Sequence, residues 1–558
     1  MRHCGPLSAP IAVALLHAFV PPAQAQTAAA ITSADVRTRT WQIAHDSMEG
    51  RDTGRPGGLR SARYIAAELK RLGVTPAGDS GTFFQKIPWI VRTPDTAATL
   101  RAGDTQLTWK RDYVLLPRVG FALALGGQPF GASFTGTNVA SIYGGRIGDS
   151  LIAPERVRGK AVIFAPSPAQ QNIAFWQRDN LRRFADAAAI IVANLDVGIP
   201  PAYTATRETY WDSAPGSTRM MTVLSLSRAA ATQLFGRPLD SLAIGDGGQP
   251  LSGNVRFIDS DPPAPAYNVV GIIPGTDRAL RGSYVSVGAH HDHIGMGPAI
   301  DHDSVRAFNM VARKRGADDP NPRTVTAEQL ARINALRDSL RTVRGGILRD
   351  SIYNGADDDG SGTVLLLEIA ESFARGDRPR RSLLLIFYTA EERGLFGSLY
   401  YSDHPTVPRD SIIANVNMDQ MGRGDPEDEP PGGNNALVVI GARRLSAQLG
   451  DLVEEVNQRA PYRFALDYQF DRDGDPTNAY CRSDHYMFAR FGIPVTFFSA
   501  AAWYIDYHMV SDEPQYIAYE RTTRIGNFIR DYVRELANLR TRPPLTRPKP
   551  DPDAVCRQ

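Results

Sequence analysis

Apolar and polar residues alternate with different periods along this chain of 558 residues. Residues 33–74 have a helical period in two pieces, separated by the polar segment G-R-D-T-G-R-P-G-G at 50–58. In the second piece Ala62, Ile65 and Leu69 recur at helical spacing, and Gly73 is a plausible helix end. The ~60 residues that follow alternate like strands and are rich in Thr, Val and Gly. The opening is therefore predicted to be helical and the next segment extended.

An insert is predicted at residues 121–258. Short apolar runs at 161–164 and 189–193 flank a helical pattern at 173–187, which together indicate a compact α+β unit. D-S-D-P-P-A-P-A at 259–266 is predicted to be the linker that leaves it. The insert would thus lie between residues 26–120 and 259–540, which would together form the larger domain.

Buried strands and helices alternate from Tyr267 onwards. The strands are near-continuous apolar runs at 283–287, 382–389, 412–418 and 493–498, and helical segments such as 362–375 separate them. Strands that are apolar on both faces are typical of a parallel sheet covered by helices. The predicted fold class is therefore α/β, with a mostly parallel sheet sandwiched by helices.

Two segments depart from this alternation. Residues 296–350 form an insertion in which Thr326 and Gln329 make a capping box. The helix that follows carries one apolar stripe, predicted to pack inside the protein: Leu330, Ile333, Leu336, Leu340 and Val343. The Pro-rich tail at 541–558 is predicted to be extended.

The N-terminus has the pattern of a secretory signal. A short basic start precedes an apolar stretch at 11–20, and Ala23-Gln24-Ala25 is a small-x-small cleavage site. Residues 1–25 are therefore predicted to be removed, and the mature protein to be secreted or periplasmic without stable membrane insertion. Cys481 and Cys556 would remain in the mature chain, either paired or as free thiols. The net charge of +2 gives no argument for a nucleic-acid partner.

Five polar clusters in the second half carry the chemistry. They read G-A-H-H-D-H at 288–293, N-G-A-D-D-D-G-S-G at 354–362, T-A-E-E-R-G at 389–394, N-M-D-Q-M-G at 417–422 and Y-H-M-V-S-D at 507–512. Most follow an apolar strand or begin a helix, and ligands of open α/β sheets gather beyond the carboxyl ends of strands. Two imidazoles and three carboxylates can hold two zinc ions around one water, while a spare glutamate takes its proton.

One cluster also resembles a calcium-binding loop. From Asp357, the run D-D-D-G-S-G-T-V-L-L-L-E nearly matches an EF-hand loop that would end at Glu368. Leucines 365–367 occupy loop positions 9–11, where a buried helix face is the better interpretation. Calcium binding is therefore disfavoured.

The five clusters, in this order, resemble the co-catalytic di-zinc exopeptidases, which include bacterial secreted aminopeptidases, glutamate carboxypeptidases and the transferrin receptor ectodomain. The resemblance covers roughly residues 267–536, and the segment E-G-R-D-T-G-R-P-G looks like the N-terminal part of that family. The insert at 121–258 resembles the protease-associated domain of several members.

The resemblance implies a role for each site residue. His290 and Asp419 would bind one zinc, Glu392 and His508 the second, and Asp358 would bridge both. Asp359 would follow across a cis peptide, Asp292 would orient His290, Glu391 would be the general base, and Tyr507 would stabilise the oxyanion. His291 and His293 remain rival ligands, and cobalt or manganese could replace zinc.

The function implied is that of a zinc aminopeptidase acting on peptides or proteins. A carboxypeptidase or dipeptidase on the same scaffold is the alternative, and it would need a basic cluster to hold a C-terminal carboxylate. A non-catalytic receptor is a further alternative, which the presence of Glu391 and all five ligands disfavours. Glutaminyl cyclisation is disfavoured because those relatives use one zinc.

Overall fold

We describe residues 29–117, 130–166, 181–198, 204–211, 220–319, 324–424, 435–459, 461–500, 504–552, 554 and 556 of a computed structural model. The predicted signal at 1–25 lies outside them, as do residues 173–180 of the predicted helical pattern in the insert. Ten α-helices occur in the described part: α1 (Ser33–Ile43), α2 (Pro56–Arg71), α3 (Arg228–Phe235), α4 (His302–Ala312), α5 (Ala327–Arg344), α6 (Gly360–Arg375), α7 (Phe396–Asp403), α8 (Ala447–Asn457), α9 (Tyr486–Ala489) and α10 (Tyr519–Asn538).

The same part of the chain contains 22 strands in four sheets. They are β1 (Thr75–Pro76), β2 (Phe84–Lys86), β3 (Trp89–Pro94), β4 (Thr99–Ala102), β5 (Thr105–Leu107), β6 (Tyr113–Leu115), β7 (Phe134–Arg146), β8 (Ala161–Ala165), β9 (Ala189–Val192), β10 (Arg207–Tyr210), β11 (Val223–Leu226), β12 (Gly247–Val255), β13 (Phe257–Ser260), β14 (Tyr267–Ile273), β15 (Tyr284–His290), β16 (Gly295–Asp301), β17 (Arg349–Tyr353), β18 (Ser382–Tyr388), β19 (Ile412–Met418), β20 (Ala436–Ile440), β21 (Ala465–Asp467) and β22 (Val495–Ser499).

The largest sheet confirms the predicted fold class. Its order is β1-β14-β18-β15-β19-β22-β20-β21, with β2 added alongside β14. The four central strands β18, β15, β19 and β22 run parallel to one another. They are the four apolar runs predicted from the sequence, and every residue of β18 and β19 is buried. Helices cover both faces, because alternate residues of β18 face different apolar clusters: Leu383 and Leu385 one, Leu384 and Ile386 the other.

A second sheet of eight strands has the order β5-β4-β12-β7-β8-β9-β11-β6. The predicted apolar runs at 161–164 and 189–193 are its strands β8 and β9, which pair in parallel. The sheet extends beyond the predicted insert of 121–258, since β4 pairs with β12 and β6 with β11. These pairings join residues far apart in sequence, which local patterns do not reveal. The domain limits and the likeness to a protease-associated domain stay predictions.

The predicted linker at 259–266 is wrong at its beginning. Asp259 and Ser260 belong to β13, which pairs with β3 in a three-stranded sheet completed by β10. Tyr210 of β10 stacks on Phe396 at the start of α7, with ring centroids 4.8 Å apart and planes 4° from parallel. This small sheet therefore contacts the segment that follows the E-E-R-G motif.

The insertion at 296–350 contains its own helices and strands. Strands β16 and β17 pair at its two ends, and α4 and α5 lie between them. Thr326 caps α5 with the predicted capping box. The prediction that the apolar stripe of α5 is packed is wrong at its two ends: Leu330 and Val343 are 50% and 88% exposed. Between them Ile333 is buried, and Leu336 and Leu340 are half-buried.

The C-terminal tail is fixed to the larger domain by a disulfide. Cys481 and Cys556 form the bond, which decides between the paired and free alternatives. The described residues from 541 onwards contain no helix or strand, as predicted. Within the described ranges, no helix is both long enough and apolar enough to cross a bilayer.

Candidate metal centre

The predicted ligands lie beyond the carboxyl ends of the central parallel strands. His290 is the last residue of β15 and is paired in register with Tyr388, the last residue of β18. Glu391 and Glu392 follow β18, and Asp419 follows β19 directly. Because neighbouring parallel strands end at the same edge, these side chains converge there.

Asp358 connects two groups of possible metal ligands. The first consists of His290, Asp358 and Asp419, with His290 Nε2 lying 3.2 Å from Asp358 Oδ1 and 3.6 Å from Asp419 Oδ1. In the second, His508 Nε2 lies 3.0 Å from Asp358 Oδ2 and 2.9 Å from Glu392 Oε2. All five predicted ligands are therefore brought together, with one oxygen of Asp358 in each group.

Two features of the site suit zinc: buried polar atoms that lack hydrogen-bond partners, and the chemical types of the candidate ligands. His290 Nε2 and Asp419 Oδ1 are buried, and within the described residues neither has a hydrogen-bond partner. A buried polar atom without a partner is costly, and a cation between these two atoms would satisfy both. Imidazole nitrogen and carboxylate oxygen are ligands that zinc accepts in proteins. The residues present thus suit the predicted cofactor.

Charge coupling in the site is strong. Burial lowers the pKa of His290, but nearby Glu391 and Asp419 outweigh it and raise that pKa well above its usual value. Burial also opposes the ionised form of Asp358, yet the contacts with His290 and His508 hold its pKa well below the usual range. Asp358 is thus held as an anion by the groups that would share the metals with it.

Glu391 is placed as a buried carboxylate beside the first group. It is 6% exposed, and its pKa is raised well above the usual range by burial and by the like charge of Glu392. Its backbone N–H donates to Asp292 Oδ1 at 3.1 Å, and the Thr53 hydroxyl donates to Asp292 Oδ2. A raised pKa makes this carboxylate a better proton acceptor than an ordinary glutamate.

Asp292 contacts His290 through its backbone oxygen and not chiefly through its carboxylate, a detail that the sequence did not specify. The nearest partner of His290 Nδ1 is the backbone oxygen of Asp292 at 3.1 Å, while the carboxylate Oδ1 lies at 3.7 Å. The Asp292 carboxylate instead accepts hydrogen bonds from Glu391 and Thr53. The residue therefore links the predicted ligand to the predicted base.

Buried polar groups fix the position of Asp358, the predicted bridging ligand. The Asp358–Asp359 peptide is cis, as the resemblance implied. Asp512 accepts hydrogen bonds from the backbone N–H of Asp357 and Asp358, and Arg423 donates to Asp512 at 2.6 Å. Asp359 caps α6 by accepting from Gly362 N–H and also accepts from the N–H of His290. These bonds set the position of Asp358.

The structure excludes the calcium-loop alternative and His291 as a ligand. Residues 365–367 are buried in α6, and Glu368 forms a buried ion pair with Arg39. The ring of His291 contacts Ser61 Oγ and the backbone oxygen of Tyr267, and burial lowers its pKa to about 4. His293, by contrast, joins the second group, with Nδ1 2.6 Å from Glu392 Oε1.

A cavity of about 660 Å³ opens in front of the two groups. Asp358, Glu391, Glu392, Asp419, Tyr507 and His508 line one end, and an apolar wall consists of Val438, Ile440, Phe470 and Phe497. The ring of Tyr507 stacks on that of His508, with centroids 4.0 Å apart. Burial raises the pKa of Tyr507 well above its usual value. Its hydroxyl is therefore protonated at neutral pH.

Three cavity residues were not predicted. Arg482 faces Asp318 of the insertion with N–O distances of 3.3 Å, and both residues line the cavity. Ser483 donates its hydroxyl to Asp419 Oδ2 at 2.9 Å. The polar run R-S-D-H at 482–485 contains Arg482 and Ser483 and was a sequence signal for both. Asp318 had no such signal, because only folding brings the insertion to the cavity.

Several known proteins and one family model are similar to this chain. The solved structure of BSAP, a zinc aminopeptidase from Bacillus subtilis, is 16% identical with a TM-score of 0.43, covering 91% of this chain and 96% of that one. A probable aminopeptidase of Saccharomyces cerevisiae is 29% identical over 36% of this chain, and a vacuolar membrane protease of Verticillium alfalfae is 30% identical over 22%. The chain spans 48% and 11% of the lengths of these two relatives. The model of peptidase family M28 matches residues 268–533, which confirms the predicted resemblance.

Proposed function

Because residues 268–533 match the model of peptidase family M28, we propose that this protein is a zinc-dependent metallopeptidase that removes N-terminal residues from peptides. The convergence of His290, Asp358, Glu392, Asp419 and His508 in two groups that share Asp358 carries this proposal. In a cluster with a purely structural role, we would expect His290 Nε2 and Asp419 Oδ1 to have hydrogen-bond partners, which they lack among the described residues.

Five residues would hold two zinc ions. His290 and Asp419 would bind one, Glu392 and His508 the other, and Asp358 one with each carboxylate oxygen. When bound, such a pair lowers the pKa of a water molecule from ~15.7 towards ~7 and polarises a peptide carbonyl. The protein residues around the ions determine how that chemistry is used.

Glu391 is proposed as the general base. Its raised pKa lets it accept a proton from water and later donate that proton to the leaving amine. Its backbone is fixed by the bond to Asp292, which also holds the position of His290 through the short turn between them. The base and one ligand are thus positioned by the same residue.

Tyr507 is proposed to stabilise the oxyanion. The stacking on His508 places the ring at the metal end of the cavity, and the raised pKa keeps the hydroxyl protonated. A protonated phenol can donate a hydrogen bond to a carbonyl oxygen that gains negative charge. The apolar wall formed by Val438, Ile440, Phe470 and Phe497 would then accept a side chain of the substrate.

Export is also proposed. The signal pattern at residues 1–25 supports it, and so does the disulfide between Cys481 and Cys556, since disulfides persist in oxidising compartments. The proposed location is secreted or periplasmic.

The test compares aminoacyl chromogenic substrates that have a free amine with their N-acetylated twins. We expect cleavage of the free-amine series only, and loss of about 10²–10⁴-fold in kcat for Glu391→Gln with two zinc ions retained. Glu454→Gln, an exposed carboxylate of α8 outside the cavity, serves as the control. Wild type that binds no zinc, or that binds two and cleaves neither series, would contradict the proposal.

Arg482 favours a second candidate, a carboxypeptidase or dipeptidase. Burial lowers the pKa of Arg482, but Tyr507 and Asp318 outweigh it, so the guanidinium is a permanent cation in the cavity. Its distance of 3.3 Å to Asp318 exceeds the 2.7–2.9 Å that is usual for such pairs. A substrate carboxylate could therefore compete with Asp318.

Asp318→Asn tests this candidate. If Arg482 holds a C-terminal carboxylate, removing its competitor should lower KM for free dipeptides and leave KM for their C-terminal amides unchanged. N-acetylated dipeptides distinguish a carboxypeptidase from the other activities, because they lack the free amine that an aminopeptidase or a dipeptidase requires. Equal effects on acids and amides would eliminate Arg482 as a carboxylate site.

A further inference from the structure

The imidazole of His293 is built into the second ligand group, although H-x-D assigns a role only to His290 and Asp292. It is fully buried, and its Nδ1 lies 2.6 Å from Glu392 Oε1. We propose that His293 is a positioning residue that hydrogen-bonds the outer oxygen of Glu392 and makes this glutamate a one-oxygen zinc ligand. This inference rests on the two-zinc function proposed above.

The two oxygens of Glu392 face different histidines. Oε2 lies 2.9 Å from His508 Nε2, and that nitrogen is also 3.0 Å from Asp358 Oδ2. These three atoms form a compact triangle that one ion can share. The other oxygen, Oε1, contacts His293 Nδ1. Glu392 is therefore divided between a metal-facing oxygen and an oxygen that accepts a hydrogen bond.

The contact distance favours a hydrogen bond over shared coordination. Two ligand atoms at ~2.0–2.1 Å from a tetrahedral zinc lie about 3.3 Å apart. The separation of 2.6 Å between His293 Nδ1 and Glu392 Oε1 is further below that value than the 2.9 and 3.0 Å that separate His508 Nε2 from Glu392 and Asp358. It is in the range of a short charge-assisted hydrogen bond. The Nδ1–H thus donates to the carboxylate.

The surrounding backbone fixes the ring in this orientation. A Cβ on Gly355 would lie 2.5 Å from His293 Cγ and 2.6 Å from Cδ2, so the absence of a side chain there makes room for the imidazole. The ring also meets that of His508 edge-on at 5.5 Å. Gly355 belongs to the same N-G-A-D-D-D motif as Asp358. The motif therefore supplies a bridging ligand and the space for the positioning residue.

The consequence is an open place on the second ion. A carboxylate that uses both oxygens would fill two coordination positions, whereas one-oxygen binding leaves a position for water or substrate. Hydrogen bonds to ligands typically change metal affinity by 10–100-fold when removed. We expect His293 to affect zinc binding as well as turnover.

The test uses His293→Ala and His293→Asn, because the amide nitrogen of Asn occupies the place of Nδ1 and keeps a donor there. Zinc affinity is measured by competition with a chelator, and the number of imidazoles per zinc by X-ray absorption. We expect His293→Ala to weaken the second zinc by about 10–100-fold and His293→Asn to recover most of the loss. The imidazole count should stay near one per zinc in all three proteins.

Two outcomes would overturn the inference. A wild-type count near 1.5 imidazoles per zinc that falls to about one in both variants would make His293 a ligand. Unchanged zinc affinity in His293→Ala would leave it without a role in the site. Thermal unfolding of the zinc-free proteins shows whether His293→Ala is folded, and if it is not, the comparison of His293→Asn with wild type decides. Wild type that binds no zinc would instead refute the proposed function.

Discussion

At the scale of single residues, the site depends on side chains that orient other side chains. Asp292 holds the N–H of Glu391, Ser483 holds Asp419, and Asp512 holds the backbone of Asp358. Carboxylates that would bind metal are thereby fixed before any ion arrives, which lowers the cost of ordering them. Tyr507 is the exception, since its ring stacks on that of His508 and lines the cavity.

Tyr507→Phe is expected to separate catalysis from metal binding. The ring can still stack on His508, so both zinc ions should be retained, while the hydrogen bond to the developing oxyanion is lost. We expect kcat to fall by about 10²-fold, the usual effect of removing one such donor. Steady-state kinetics with zinc content checks this. A variant with wild-type kcat would eliminate the oxyanion role of Tyr507.

The identities of the candidate site residues were predictable from the sequence, but the orientations of their side chains were not. All five ligands and Glu391 were predicted from ordered motifs, and the structure brings them to one edge of the sheet. In H-H-D-H, however, three imidazoles were available, and the sequence could not show that His293 joins the second group while His291 does not. The direction of the chain after β15 decides this, and the contacts of that turn come from distant segments such as Ser61 and Gly355.

At the scale of elements, the insertion supports the loop that carries His508. Asn309 of α4 donates to the backbone oxygen of Ile505 at 2.8 Å, and Arg306 forms a buried ion pair with Asp506. Ala317 N–H donates to the backbone oxygen of Tyr507 at 3.0 Å. The described part of the insertion thus supports the loop that carries His508 and forms one wall of the cavity.

Gly316→Ala is expected to disturb that loop. A Cβ at Gly316 would lie 2.6 Å from the backbone oxygen of Tyr507, and the residue has a φ of +53°. We expect weaker binding of the second zinc and a loss of kcat of at least about tenfold, since small displacements of catalytic groups are costly.

Gly345→Ala is the control for Gly316→Ala. Gly345 ends α5 with a φ of +85° in the same insertion, and a Cβ there would meet nothing within 4 Å. Both variants incur the backbone cost of a left-handed residue, about 1–2 kcal/mol, but only one collides. If the two variants have the same kinetics and zinc affinity, the contact with Tyr507 is unimportant.

Elements were predicted well where their pattern is self-contained. The four central strands and α6 agree with the apolar runs, because a strand buried on both faces needs no knowledge of its neighbours. The two ends of the stripe on α5 were misjudged because periodicity gives the face of a helix without showing whether anything covers it. The strands before residue 121 were assigned to the larger domain because their partners in β11 and β12 lie more than a hundred residues away in sequence.

At the scale of the whole molecule, the C-terminal segment is attached next to the site. Cys481 immediately precedes Arg482 and Ser483, and its disulfide to Cys556 closes a loop with a sequence separation of 75 residues. The bonds from Ser483 to Asp419 and from Arg482 to Asp318 do not involve Cys556. We therefore expect the disulfide to contribute to the stability of the fold rather than to the arrangement of the candidate ligands.

Replacing Cys481 and Cys556 together by alanine is expected to lower stability without abolishing activity. Loop-closure entropy predicts a loss of about 4 kcal/mol in the free energy of unfolding for a loop of this length. Thermal unfolding should show a lower midpoint, while zinc content and turnover at 25 °C remain close to those of wild type. Dithiothreitol should lower the midpoint of wild type by a similar amount and leave the variant unchanged. If the variant has the same unfolding midpoint as wild type but loses a zinc ion, the disulfide instead positions the loop of Ser483.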